Sequence, residues 1–162
     1  MVAEYLARTL PGFVLIQKDV LKEVLFEALN QNENAAEESR RLSDTATSLL
    51  WALAPKCPRV ILEANFRTHD PRERERFAEL EAEKLEVRCW CPAEVAMRRF
   101  AARAADRHPA HTVKELSLDV YKESEAPFRS APLIRLDTTE PVDLPGLAEQ
   151  VRGHWPDLWG GS

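Results

Sequence analysis

Four short apolar runs punctuate this chain, and the stretches between them carry apolar residues at helical spacing. That alternation admits few folds. Phe13-Val14-Leu15-Ile16 and Val60-Ile61-Leu62 have the composition of strands buried on both faces, and Leu85 to Trp90 and Leu133-Ile134-Arg135-Leu136 read as two further strands. After the first run, Val20, Leu21, Val24, Leu25, Ala28 and Leu29 recur with the helical period. A polar stretch from Asn30 to Glu38 interrupts it, and Leu42, Ala46, Leu49, Leu50 and Leu53 resume it up to Pro55. Further helices are expected over 2–9, 71–84, 92–105, 113–123 and 143–153, with Pro92 suited to a first helical position, where its missing N–H costs nothing. Strands alternating with helices require parallel strands joined by crossovers. The fold class is therefore α/β, a three-layer domain with a mainly parallel sheet.

A chain of 162 residues supplies one core and not two, so a single domain is expected over residues 1–154, followed by a loose tail at 155–162. A net charge of -5 argues against nucleic-acid binding, which draws on a basic surplus. No apolar run approaches the roughly 20 residues that cross a bilayer, and the amino-terminal segment lacks the apolar core of a secretory signal. No membrane association is expected, and the expected location is cytoplasmic. Cys57, Cys89 and Cys91 have no disulfide framework and no further ligands at zinc spacing, so they read as buried core thiols.

In open α/β sheets ligands bind beyond the carboxyl ends of the strands, which singles out three groups of residues. Lys18, Asp19 and Lys22 follow the first strand; Asp19 suits a helix N-cap as well as contact with a substrate hydroxyl, and the two roles are compatible. Glu63, Asn65 and Arg67 follow the second strand, and a carboxylate buried there needs a partner or a function. Arg99, Arg103 and Arg107 recur every four residues along and beyond a helix, a spacing that brings guanidinium groups together as a clamp for phosphate oxygens or as a solvated basic face. His108 and His111 lack a third neighbour and make a weak metal pair.

The order of these segments is more specific than any one of them. A strand, Lys18-Asp19 and a helix come first. A strand ending in Leu62-Glu63-Ala64-Asn65-Phe66 follows, and then the stretch Cys89 to Arg103 leading into Ala105-Asp106-Arg107-His108-Pro109-Ala110-His111. From Val2 to about Leu136 the chain resembles the small P-loop kinases grouped with AAA-domain ATPases, similar to chloramphenicol phosphotransferase, gluconate kinase and zeta-toxin-type kinases. The resemblance implies a P-loop NTPase-like fold, ATP and Mg²⁺ as cofactors, and phosphate transfer to the hydroxyl of a small-molecule acceptor. By position it makes Asp19 the group that contacts the acceptor hydroxyl and serves as its base, with Lys22 and Asn65 also on the acceptor side. It sets Glu63 to assist magnesium through water. It makes residues 99–112 a lid whose Arg99, Arg103 and Arg107 close over the nucleotide phosphates, the last two acting on the transferred group.

One departure is large. No G-x-x-x-x-G-K-[ST] occurs anywhere, and none of the five glycines, at positions 12, 146, 153, 160 and 161, precedes a Lys-Ser or Lys-Thr pair. That loop supplies the amide cradle and the lysine that grip the β- and γ-phosphates, so ordinary ATP binding and transfer should largely vanish. In folds of this kind the strand leading into the loop lies between the strands expected here at 60–62 and 85–90. Without it two inner edges stay unpaired unless the neighbours close up. Three arrangements account for the gap: an upstream segment of roughly 12–15 residues; a degenerate relative acting as a non-catalytic interaction or oligomeric protein; or a homo-oligomer or strand-donating partner that completes the sheet. The first is favoured, because the strand-end carboxylates and lid arginines remain. The expectation is a kinase fold that is inactive in this 162-residue form, with an acceptor that residues 30–56 do not reveal.

Overall fold

A computed structural model describes residues 1–29, 36–113, 117–123 and 126–159. In chain order the elements are α1 (Val2–Thr9), β1 (Val14–Gln17), α2 (Lys18–Ala28), α3 (Ala36–Leu53), β2 (Val60–Glu63), α4 (Pro71–Glu79), β3 (Glu86–Trp90), α5 (Ala93–Ala102), α6 (Leu118–Glu123), β4 (Leu133–Asp137) and α7 (Leu144–His154). None of the described helices is long and apolar enough to cross a membrane.

Local chemistry sets several of these boundaries. Asp70 caps α4 by accepting from the Arg72 amide at 2.9 Å, with Pro71 in the first turn. The same helix ends at Glu79, five residues short of the expected Lys84. The reason is Lys84 itself, whose Nζ donates to the carbonyls of Phe77, Ala78 and Leu80 at 3.0, 3.3 and 2.8 Å and satisfies the helix end. Asp143 caps α7 through the Gly146 amide at 2.9 Å, and a Cβ on Gly146 would fall 2.3 Å from Asp143 Oδ2. Only glycine leaves room for that cap. Helix α5 stops at Ala102 rather than Ala105. Helix α6 begins at Leu118 rather than Val113, with residues 114–116 of the expected helix outside the described ones.

The strands pair in parallel, as the crossovers require, but as two pairs and not as one sheet. β1 runs beside β2 with Val14 opposite Val60 and Gln17 opposite Glu63. β3 runs beside β4 with Glu86 opposite Leu133 and Trp90 opposite Asp137. No backbone ladder joins β2 to β3. The two pairs share an apolar layer nonetheless: Leu6 of α1, Leu10 just after it, and Leu147, Ala148 and Val151 of α7 pack against Ile61 of β2, Val87 of β3 and Ile134 of β4. A second cluster joins Ile16, Leu50, Trp51 and Phe128, with Val60, Leu62, Phe66 and Phe77 around it. In that cluster Phe77 and Phe128 stack with ring centres 4.3 Å apart.

Three expectations change. No residue of β2 is fully buried, although Val60-Ile61-Leu62 has the composition of a strand covered on both faces; among the described residues β1 is the one strand that pairs with it. Cys91 is buried as expected, but Cys57 is only half-buried and Cys89 is exposed. The segment after α7 is not loose as far as Trp159. Trp159 stacks on Phe13 at 6.1 Å and donates from Nε1 to the Arg152 carbonyl at 3.0 Å, and Trp155 lies 6.5 Å from the same ring; residues 160–162 lie outside the described ones. Leu147, 1% exposed at the α1–α7 seam, provides the test. Leu147→Ala is expected to cost about 2–5 kcal/mol in urea denaturation, whereas Val24→Ala, at a side chain left 57% exposed on α2, should stay within about 0.5 kcal/mol.

Candidate functional site

Helix α2 starts directly after β1, with Gln17 as the N-cap residue, so Asp19 falls in its first turn rather than at the cap. A carboxylate there sits at the positive end of the helix. The Asp19 side chain is 57% exposed and lies 3.6 Å from Lys18 Nζ. Asp19 and Glu23, one turn apart on α2, form one wall of a pocket of about 270 Å³. The opposite wall comes from Phe100, Arg103, Asp106, Arg107, His108 and His111, at the end of α5 and just beyond it.

The structure therefore brings Asp19, Arg103 and Arg107 to one pocket and separates the other expected residues from it. Arg107 is held over the Phe100 ring at 4.6 Å and donates to the Val113 carbonyl at 2.9 Å. Arg103 donates from Nε to the Arg99 carbonyl at 3.3 Å, which leaves the end of its guanidinium for other partners. Arg99 turns elsewhere. Its two terminal nitrogens donate to Thr138 and Thr139 carbonyls at 2.6 and 2.9 Å, bolting α5 to the segment after β4. Asn65 is exposed two residues beyond β2.

Lys22 is buried, with 6% exposure. Its Nζ donates to Ser39 Oγ at 2.9 Å, and Ser39 Oγ donates in turn to the Ala110 carbonyl at 2.7 Å. Burial pulls the Lys22 ammonium below its ordinary pKa, and the positive charges of Lys18 and Arg107 add to that while Asp19 and Glu23 oppose it. The lysine thus supports the turn at Ala110 from beneath. Two further contacts hold the same turn to α2: His111 Nε2 lies 2.9 Å from Glu23 Oε1, and His108 Nε2 lies 3.5 Å from Glu27 Oε1. Glu23, Glu27, Ser39 and Asp106 were not singled out from the sequence. A signal existed in part: Asp19, Glu23 and Glu27 are spaced by four and form an acidic stripe, which suits the two histidines spaced by three.

Glu63 closes β2 opposite Gln17 and accepts from its amide at 3.4 Å. Burial pushes the Glu63 carboxyl above its ordinary value; the Gln17 hydrogen bond offsets part of the rise, and the charge of nearby Asp19 adds to it. The two strand-end carboxylates thus act on each other across the carboxyl end of the β1–β2 pair. Among the described residues no group of three or more His, Cys, Asp and Glu side chains could hold a metal ion. Nor does the sequence contain a glycine-bounded amide cradle for a nucleotide. The residues present fit neither a complete magnesium site nor an ATP phosphate site.

Solved structures give this arrangement its context. The chain is similar to a protein described as a candidate kinase from Chloroflexus aurantiacus j-10-fl, with 28% identity and a TM-score of 0.81, over 94% of this chain and 89% of that one. It also overlays on the Deinococcus radiodurans tunicamycin resistance protein, with a TM-score of 0.53 and 12% identity over 94% of this chain and 86% of that one, a likeness of fold alone. No family model matches the sequence, and no curated protein does. The fold is α/β with parallel strands and is P-loop-kinase-like.

Two measurements probe the site. Ser39→Ala leaves the buried Lys22 ammonium and the Ala110 carbonyl without their partner, and is expected to cost about 1–3 kcal/mol and to speed amide exchange over 108–111. Glu63→Gln is expected to stabilise the protein at pH 7. The folded-state pKa of Glu63 is raised above 4.5, so between 4.5 and that higher value the folded state holds more protons and stability falls as pH rises. The gain from Glu63→Gln should therefore fade as pH drops through this window and vanish below it, as read from urea midpoints across the range.

Proposed function

We propose that this chain carries the acceptor side of a cytoplasmic small-molecule kinase that uses ATP and Mg²⁺, and that it transfers no phosphate in the 162-residue form. The observation that supports the reading best is the convergence of Asp19, Arg103 and Arg107 on one pocket at the carboxyl end of β1, within a P-loop-kinase-like fold. Asp19 is the group that would accept a hydrogen bond from an acceptor hydroxyl and hold its proton, and Arg103 and Arg107 are the guanidinium donors that would meet phosphate oxygens if a phosphate grip were present. The turn from His108 to His111, fixed to α2 and α3, holds Arg107 in the pocket that Asp19 also lines. Arg99, tied to Thr138 and Thr139, belongs to the support of α5 in this reading and not to the clamp.

The phosphate grip has to be added. Extending the chain ahead of Met1 with an apolar strand and a Gly-x-x-x-x-Gly-Lys-Ser loop is expected to create magnesium-dependent ATP binding. It should appear as a rise of roughly 5–10 °C in melting temperature at a hundredfold excess over Kd, and Arg107→Ala in that protein should weaken nucleotide affinity about tenfold. An extended, folded chain whose melting temperature ignores ATP would remove the kinase reading. A second reading, a non-catalytic interaction protein, draws on a different observation: the open edges of β2 and β3.

A further inference from the structure

The pocket between α2 and the end of α5 holds charge of both signs, and part of that charge has no counter-ion. Three carboxylates line it, from Asp19, Glu23 and Asp106, against two guanidinium groups, from Arg103 and Arg107. Asp19 has Lys18 Nζ at 3.6 Å, and one oxygen of Glu23 has His111 Nε2 at 2.9 Å. Asp106 has no cation within ion-pairing distance among the described residues, although two arginines share its pocket. The arginines are committed in other directions. Arg107 lies over the Phe100 ring and donates to the Val113 carbonyl, and Arg103 donates from Nε to the Arg99 carbonyl. Lys22, beneath the pocket, gives its ammonium to Ser39 Oγ and is not among the lining side chains.

Phosphate transfer gives Asp19 and the two arginines their parts and leaves Asp106 and Glu23 without one. A carboxylate beside a guanidinium clamp repels the phosphate that the clamp would hold, so Asp106 works against the arginines unless the other reactant brings a positive charge. An anionic acceptor would meet three carboxylates. A neutral polyol would use them only as hydrogen-bond acceptors. An ammonium group supplies three N–H donors and a positive charge together, and its hydrogen bonds to carboxylates are of the strong, charge-assisted kind.

We infer that the acceptor of this pocket is a small hydroxylated amine, whose ammonium group is received by Asp106 and Glu23 while its hydroxyl meets Asp19. This substrate class rests on the acceptor reading of the same pocket given above. Size narrows it further. A volume of about 270 Å³ lies just below the range of about 300–1,000 Å³ in which drug-sized ligands are held, which suits a single sugar ring or a short amino alcohol. Glu23 keeps one oxygen for the ligand, since His111 lies against the other. Asp106 follows α5 in a turn closed by its own amide on the Arg103 carbonyl at 3.2 Å, and its exposed side chain is open to a ligand.

The test titrates the 162-residue protein with D-glucosamine, D-glucose and D-glucuronate at pH 7, three sugars of one ring that differ in charge, and follows backbone amides by NMR. Glucosamine is expected to shift amides of 18–23 and 103–111 and to bind about tenfold more tightly than glucose, with glucuronate weaker than both. Asp106→Asn should bring glucosamine down to the level of glucose without moving the urea midpoint, because the Asp106 side chain is exposed. Glu75→Gln, which removes one negative charge from α4 outside the pocket, should leave the tenfold preference intact. Glucosamine that shifts none of these amides overturns the inference, as does glucose or glucuronate binding as tightly. An equal loss in Glu75→Gln and Asp106→Asn makes the preference a matter of net charge and overturns it too. No nucleotide is present, so these failures remove the substrate class alone, whereas an extended chain that ignores ATP removes the kinase reading whatever the sugars do.

Discussion

The apolar seam in which Leu6 of α1 and Leu10 just after it meet Leu147, Ala148 and Val151 of α7 makes one molecule of two separate strand pairs. A parallel pair of four- or five-residue strands has little stability by itself, and here neither pair lends the other a backbone hydrogen bond. What crosses between them is side-chain packing: β2 and β3 each press an aliphatic residue against the same helices. Burial of a Leu contributes about 1.5–3 kcal/mol, and three leucines with Val151 and Ala148 at one seam supply the cohesion that the missing ladder does not. The tryptophans after α7 extend the seam. Trp155 and Trp159 cover Phe13, so the segment from Trp155 to Trp159 is pinned where β1 begins.

Register then determines the site. Because Gln17 lies opposite Glu63, helix α2 leaves β1 where β2 ends, and Asp19 and Glu63 repel each other across the same strand ends. The pocket forms only because the segment after α5 folds back onto α2 and α3. The buried Lys22–Ser39–Ala110 chain supports it from inside, and the histidine–glutamate contacts hold it from outside. Such a support is polar, directional and confined to one turn, which suits a segment that positions two arginines without contributing to the core.

Much of this was legible in the residues. The apolar runs placed all four strands within about one residue, and the position of Asp19 just after a strand located the pocket wall. The unpaired inner edges were also foreseen, from the lack of a glycine-lysine loop and its strand, and β2 and β3 have not closed on one another. Other features depended on tertiary contacts that periodicity does not carry. Nothing local says that Lys84 will fold back to end α4 early, or that Arg99 will reach carbonyls 39 and 40 residues away while Arg103 and Arg107, on the same spacing, face the pocket. The tail read as loose because Gly-Gly-Ser closes it, while the aromatic contacts that decide its course lie with Phe13, far off in sequence.

A P-loop-kinase-like fold is thus built on two parallel strand pairs that share side-chain packing and no ladder, with the pocket of Asp19, Arg103 and Arg107 at the carboxyl end of β1. In the 162-residue protein β2 and β3 stand apart. Scalar couplings across hydrogen bonds, read by NMR on the isotope-labelled chain, test this directly. Couplings from N–H to C=O are expected between β1 and β2 and between β3 and β4, in the registers Val14 to Val60 and Glu86 to Leu133, and none between β2 and β3. A ladder of couplings joining Val60–Glu63 to Glu86–Trp90 would contradict it.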